Sequence, residues 1–337
     1  MIRRLDLGAV PPLRSQGIYH GLAAAMDAAT PDTIVFCAPA APYFCVGYHQ
    51  RAADVLDLAL CRRRGWPVLR RRLGGGAVYL DQAQLFYQVV VHRSRAPFAV
   101  DRIYATYLAA PVLGLRRLGL DARLCATNEI EVGGRRIAGT GGGHLGEAVV
   151  VVGNVLFDFP DARMAAAWRA PSPAFRRLAH DGLRSYVTTL AREFGAAPPM
   201  EAVRDAIGAA YAETLGLPLV PGALTARERR AVATAEAELA GRAFVRGGGG
   251  RRDAGLKIAR GTYVYEGRAA GADIRVSLRL RDGVIDALAV SGAVDTRAVR
   301  RLVGRRIDAL AGRTGAGAHG NPADLVGAAL AGARLFA

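Results

Sequence analysis

The stretch that most constrains this chain is Arg70-Arg71-Arg72-Leu73-Gly74-Gly75-Gly76-Ala77-Val78-Tyr79-Leu80-Asp81. Three glycines follow three closely spaced arginines and lead into apolar, strand-type text. Glycine lets a backbone come close to a ligand, with amides free to bind an anion. Arginines alongside add charge-assisted donors for a carboxylate or phosphate. No Lys-Ser/Thr follows the glycines, and they do not join a strand to a helix, so neither a Walker loop nor a dinucleotide fingerprint is present. Two other glycine runs, 141–143 and 247–250, are a reminder that such triplets also occur as plain loops.

Around this stretch the chain reads as sheet. Apolar runs at 33–37, 44–46, 68–69, 77–79 and 85–91 predict strands, with Pro39 and Pro42 separating the first two. Residues 128–132 and 135–138 predict a hairpin, because Gly133-Gly134 supplies the positive φ of a tight turn. Runs at 148–152 and 155–159 predict two buried strands interrupted by Gly153-Asn154. Ile103, Tyr107, Leu108, Val112 and Leu115 predict a helix over 101–118. Beyond residue 160 the spacing is helical over 174–194, 200–215 and 226–239, the last opened by a capping box of Thr225 and Glu228. Glycines 247–250 with Arg251-Arg252 read as a flexible interruption. Strands over 261–266, 274–280 and 284–290, an Asp282-Gly283 turn and a helix over 296–310 follow. The chain thus reads as strands followed by helices over 1–245, a linker over 246–256 and a small α+β C-terminal domain over 257–337. No internal repeat is visible.

Composition excludes several classes. The chain has 337 residues, 51% of them hydrophobic, which rules out disorder throughout. The longest apolar stretch, 148–159, contains Gly153, Asn154 and Asp158 and falls short of the roughly 20 residues a bilayer requires. No apolar run follows the basic N-terminus, so a secretory leader is not expected and the expected location is cytoplasmic. Cys37, Cys45, Cys61 and Cys125 show no CxxC spacing and the six histidines no HxH or HxxxH pair, so no dedicated metal site or disulfide framework is expected. Against 29 acidic residues stand 45 basic ones, a net charge of +16, and Lys257 is the only lysine. Coding bias in a GC-rich genome explains so much arginine; the functional alternative is a field that attracts acidic partners or phosphorylated substrates. No nucleic-acid-binding module accompanies the charge, so nucleic acid is not an expected partner.

A second stretch, Asn128-Glu129-Ile130-Glu131-Val132-Gly133-Gly134-Arg135-Arg136-Ile137-Ala138-Gly139-Thr140, completes a pair with the first. Together they resemble the lipoate–protein ligase A family, whose core is shared with biotin protein ligases and octanoyltransferases. That family reads Arg-Arg-x-Ser/Thr-Gly-Gly-Gly-Ala-Val-Tyr-His-Asp, then Asn-Asp-x-x-x-x-Gly-x-Lys-Ile-Ser-Gly-Ser. Val46-Gly47-Tyr48-His49-Gln50 and Ser185-Tyr186-Val187-Thr188-Thr189-Leu190 match further elements, and the tail from Ile274 through Leu310 resembles the family's accessory domain. The resemblance implies an α+β fold class, a mixed β-sheet flanked by helices. It also implies ATP-dependent activation of lipoate or octanoate to an acyl-adenylate, with Mg2+, and transfer of the acyl group to a lysine of an acidic lipoyl-domain protein. It assigns Arg71, Gly74, Gly75, Gly76, Ala77, Tyr79, Gly139, Thr140, Gly153 and Asn154 to the substrate, and Asn128, Asp81 and Arg136 to the nucleotide.

The departures from the pattern bear on mechanism. The family's lysine is Arg136 here, a planar fork in place of a compact point charge. Leu73 and Leu80 replace a hydroxyl residue and a histidine, and Val152-Gly153-Asn154 stands where the family has His-Gly-Thr. Three readings follow. In the first, Arg136 does the electrostatic work of the lysine in a divergent ligase. In the second, Cys125 is the thioester nucleophile of an ATP-independent octanoyl or lipoyl transferase, its pKa lowered by Arg123 or Arg136; the bland alternative for a lone cysteine is apolar packing. In the third, the protein binds acyl groups or lipoyl domains without chemistry. His144, in its glycine run, reads as a solvated loop residue or as part of a loop ordering over the nucleotide.

Overall fold

The computed structural model describes residues 1–247, 255–268, 274–292, 297 and 300–308. The chain opens with strand β1 (Ile2–Val10), helix α1 (Pro12–Ala24), and strands β2 (Thr33–Pro39) and β3 (Tyr43–Val46). Short helices α2 (Ala52–Val55) and α3 (Leu58–Arg63) precede β4 (Val68–Arg70), β5 (Val78–Leu80) and β6 (Gln84–His92). Helix α4 (Val100–Arg117) leads into β7 (Ala122–Cys125), β8 (Glu129–Val132), β9 (Arg135–Leu145) and β10 (Ala148–Leu156). Helices α5 (Asp161–Ala167), α6 (Pro173–Tyr186), α7 (Leu190–Phe194) and α8 (Met200–Leu215) come next, then β11 (Leu219–Pro221), α9 (Ala226–Ala240) and α10 (Arg242–Arg246). Strands β12 (Gly255–Ala259), β13 (Thr262–Arg268), β14 (Arg275–Arg281) and β15 (Val284–Ser291) form the C-terminal sheet.

The central sheet is mixed, in the order β11-β1-β2-β6-β10-β9-β8-β7. Its β11–β1–β2 end is parallel and the remainder antiparallel. A smaller sheet, β4-β3-β5, carries the arginine–glycine segment. One face of the central sheet packs on α4 and α8 through Val112, Leu115, Ile207 and Tyr211. The other packs on α1 through Ile18, Tyr19 and Leu22, with Leu73 and Leu80 in the same cluster. All nine residues of β6 are buried between these layers, and each fully buried Val or Phe contributes about 1.5–3 kcal/mol.

Two compact units divide the chain: 1–160 with 187–250, and 161–186 with 251–337. Helices α5 and α6 thus belong to the second unit, where the sequence suggested one domain up to 245. The reason is packing: Arg279 of β14 donates to the Leu178 carbonyl of α6 at 3.0 Å, and a Cβ at Gly182 would lie 3.0 Å from Arg279.

Other differences have equally local causes. The single helix expected over 174–194 is split, because the Thr188 amide donates to the Arg136 carbonyl at 2.9 Å and Thr189 caps α7. Strand β10 runs unbroken through Gly153-Asn154. Strand β9 extends through the 141–143 glycines, so His144 is an exposed strand residue and not part of a loop. Of the helix expected over 296–310, part lies outside the described residues; among the rest, 301–304 is a turn and Arg306 bridges to Val284. Residues 248–254, in the expected linker, also lie outside the described residues. The Thr225–Glu228 capping box forms as expected, and Glu228 also accepts from Arg3 at 2.9 Å. No helix among the described residues is long and apolar enough to cross a membrane.

Candidate active site

The arginine–glycine segment is a braced loop. Gly75 has φ +94, a conformation other residues resist, and a Cβ at Gly47 would sit 2.0 Å from the Gly75 carbonyl. Glycine at both positions lets the two backbones touch. Arg71 turns inward: its nitrogens donate to the carbonyls of Gly74 (2.7 and 3.1 Å), Gly76 (2.9 Å) and Cys45 (3.2 Å). Arg70 is 1% exposed and donates to the carbonyls of Tyr48 (2.6 Å), Val245 (3.3 Å) and Gly247, the last two at the end of α10. Arg72 pairs with Glu238 at 2.6 Å, and its amide donates to His20 Nε2 at 3.1 Å. His20 Nδ1 in turn donates to the Gln16 carbonyl at 2.7 Å, so the ring is neutral with its proton on Nδ1. Burial, reinforced by the nearby Arg72 and Arg71 charges, lowers the His20 pKa to about 4.

Beside this loop the sheet is cleared of side chains. Residues two apart on a strand share a face, so Gly139, Gly141 and Gly143 of β9 lie on the same face as Asn154, Val152 and Val150 of β10. A Cβ at Gly141 would meet nothing within 4 Å, and one at Gly143 only Leu73. The strip ends at Asn154, whose amide donates to Gln84 Oε1 at 2.6 Å; Gln84 donates to the Tyr79 carbonyl at 3.1 Å and to Asp81 at 3.4 Å. Asp81 also accepts from the Ala83 amide at 3.1 Å, so it holds the β5–β6 turn. Gln84 was not among the sequence candidates, since nothing in the strand text marks it.

The β7–β8 hairpin supplies the chemistry on this face. Ile130 and Val132 point into the α4-side core, so Glu129 and Glu131 point to the other side. Cys125 pairs with Glu129 and Arg123 with Glu131 in register. Arg136 joins them through Glu129 Oε1 at 2.7 Å. Cys125 is partly exposed, whereas Cys37, Cys45 and Cys61 are buried. Burial pushes Cys37 up to about 12 and raises Cys45 and Cys61 as well. The Cys125 thiol is also raised from its ordinary value, first by partial burial and then by its hydrogen bond to Glu131, with Arg123 opposing. This corrects the expectation of a lowered value: Arg123 is drawn to Asp121 at 2.8 and 3.1 Å, Arg136 to Glu129, and the carboxylates prevail.

The sequence candidates therefore fall on two faces. Cys125, Arg136, Gly139 and Asn154 share the open face with one another. Asn128, Thr140 and Gly153 do not. Asn128 hydrogen-bonds the Tyr104 hydroxyl of α4, and the Thr140 hydroxyl donates to the Asn128 carbonyl. A Cβ at Gly153 would lie 2.2 Å from the Tyr87 ring, so this glycine makes room for a core tyrosine. Tyr79 is buried against Phe44 and Phe159, at ring distances of 5.3 and 6.4 Å, and acts through its carbonyl. Ala77, half-buried, lies between the exposed Gly74, Gly75 and Gly76 and the first residue of β5. A separate cavity of about 620 Å³, lined by His20, Met26, Arg72, Leu145, Thr234 and Glu238 among others, includes none of these candidates. Among the described residues no three His, Cys, Asp or Glu converge as metal ligands.

Comparison with known proteins agrees with this architecture. Residues 12–212 match the lipoyl protein ligase A/B catalytic domain. The octanoyltransferase LipM of Symbiobacterium thermophilum is 28% identical over 257 residues, 69% of this chain and 93% of the relative. That of Kyrpidia tusciae is 31% identical over 212 residues, 56% of this chain and 77% of the relative. Among solved structures, the bipartite lipoate protein ligase of Thermoplasma acidophilum, described with its E2 lipoyl domain, superposes with a TM-score of 0.68 at 23% identity. It covers 77% of this chain and 100% of its own. With more than half of its length matched by the catalytic-domain family and the same fold built around the glycine loop, the chain belongs to the lipoate–protein ligase and octanoyltransferase family.

Proposed function

We propose that this protein is an acyltransferase that carries an octanoyl or lipoyl group on Cys125 as a thioester and passes it to a lysine of a lipoyl-domain protein. One observation carries the reading: the partly exposed cysteine sits on the open face, on the hairpin that pairs with β9. The names of its LipM relatives support the same class of reaction. The side-chain-free strip from Gly139 to Gly143 spans about 13 Å and suits a medium-length acyl chain laid along the sheet. Arg136 brings positive charge to the face where the carbonyl oxygen gains negative charge. The Thermoplasma ligase described with its lipoyl domain supports a lipoyl-domain acceptor, and a surface of net charge +16 favours an acidic one.

A second reading, activation of lipoate with ATP and magnesium, draws on the relative named lipoate–protein ligase A subunit 1, 28% identical over 193 residues. The protein-bound states of Arg71 and Asn128 favour it less, since both of these carboxylate or nucleotide candidates already hold protein partners. Intact-mass measurement of an apo lipoyl domain separates the two readings. One sample receives octanoyl-carrier protein without ATP, the other lipoate with ATP and magnesium. The transferase reading expects acceptor modification in the first sample alone, and a hydroxylamine-labile octanoyl adduct on this protein that Cys125→Ser removes. Modification only with ATP would overturn it in favour of the ligase. Lys257 is the only lysine, so acylated lysine contributes little background.

A further inference from the structure

A thiol must lose its proton to attack a carbonyl, and at Cys125 few groups can take it. Guanidinium groups stay protonated and cannot act as bases, which removes Arg123 and Arg136. Glu129 is 8% exposed and tied to Arg136 at 2.7 Å. Glu131 lies diagonally across the β7–β8 ladder from Cys125 and on the same face, where a long side chain reaches its diagonal neighbour. Resting on the reading that Cys125 carries the acyl group, we propose that Glu131 is the general base of the transfer. As Sγ bonds to the carbonyl carbon of the donor thioester, the S–H proton passes to the Glu131 carboxylate. Collapse of the tetrahedral centre breaks the bond to the donor sulfur, which leaves as a thiol with that proton. In the second half the acceptor amine bonds to the acyl carbon, its surplus proton passes to Glu131, and Sγ departs and regains it. Nothing is oxidised or reduced.

The arrangement accounts for the charge around the thiol. Partial burial raises its pKa, Glu131 and Glu129 add to this and Arg123 opposes them, a balance that a base beside the thiol offsets during attack. In this chain the residue at the family's lysine position is an arginine, and the carboxylate supplies the basicity that a guanidinium lacks.

Glu131→Gln tests this through two readouts that move in opposite directions. Loss of the negative charge lowers the thiol pKa, so alkylation of Cys125 by iodoacetamide at neutral pH quickens severalfold. Loss of the base slows acyl transfer from a small octanoyl thioester about 100-fold. The rate of the variant then climbs with pH toward the thiol pKa, and Glu131→Asp restores part of the loss. Continued protection of Cys37, Cys45 and Cys61 from alkylation reports that the variant is folded. Transfer by Glu131→Gln within twofold of wild type overturns the assignment. Full transfer by Cys125→Ser would instead remove the acyl-cysteine reading itself, an outcome independent of the Glu131 result.

Discussion

Two groups of arginines lie near the open face, and they are used in different ways. Arg70 and Arg71 donate to backbone carbonyls, so their donors shape the chain. Arg123 and Arg136 pair with carboxylates, and the carboxylates around them set the acidity of a thiol. An arginine run in sequence is thus ambiguous between scaffold and chemistry. The partners decide, and the partners come from other parts of the chain: α10 for Arg70, a neighbouring strand for Arg136.

If the first group is scaffold, its members should fail by stability. Arg70→Ala strands carbonyls at Tyr48, Val245 and Gly247 and opens a buried void; a loss of about 3–4 kcal/mol is expected in denaturant unfolding. A loss below about 1 kcal/mol would show the guanidinium to be a passenger. His20 sharpens the same point through pH. Its folded pKa, about 4, lies below the usual 6.5, so between these values the unfolded chain binds more protons. Its contribution is fully present above pH 6.5 and is lost as pH falls toward 4, by about 3 kcal/mol in total. His20→Gln should flatten that part of the melting-temperature profile.

The second group should fail by charge balance. Arg136→Ala removes the guanidinium that donates to the buried Glu129 at 2.7 Å, at a cost of about 2 kcal/mol. Adding Glu129→Gln should recover more than half of that stability, and a double change that is merely additive would break the pairing argument. Smallest is Arg72→Ala. Its ion pair with Glu238 is exposed, and a change of less than about 1 kcal/mol is expected in thermal unfolding.

What was legible in the sequence was what depends on neighbours along the chain. The capping box at Thr225, the Gly133-Gly134 turn and the amphipathic stripe of α4 are local signals, and each formed. Helix α1 gave no signal, because it is buried on most sides and carries Ser15, Gln16 and His20 inside, leaving no polar face to alternate with an apolar one. Strand β1 was hidden by Arg3, Arg4 and Asp6; Arg3 and Arg4 find Glu228 and Asp205 only when those distant segments arrive. The same limit applies at the site. The glycine loop and Cys125 stood out by residue type. Glu131 and Gln84 act across strands, and cross-strand neighbours depend on a register that residue spacing does not reveal.

Strand β10 carries a demand of its own. Consecutive residues serve opposite faces: Gly153 yields to Tyr87 in the core, and Asn154 holds Gln84 beside the glycine loop. Insertion of one residue upstream in this strand would exchange the two, setting an amide against an aromatic ring and leaving the loop network without its anchor. Core and site are read from one ladder, so change along it is admissible only in even steps. The parity of a single strand thereby links how this protein holds together to what it can hold.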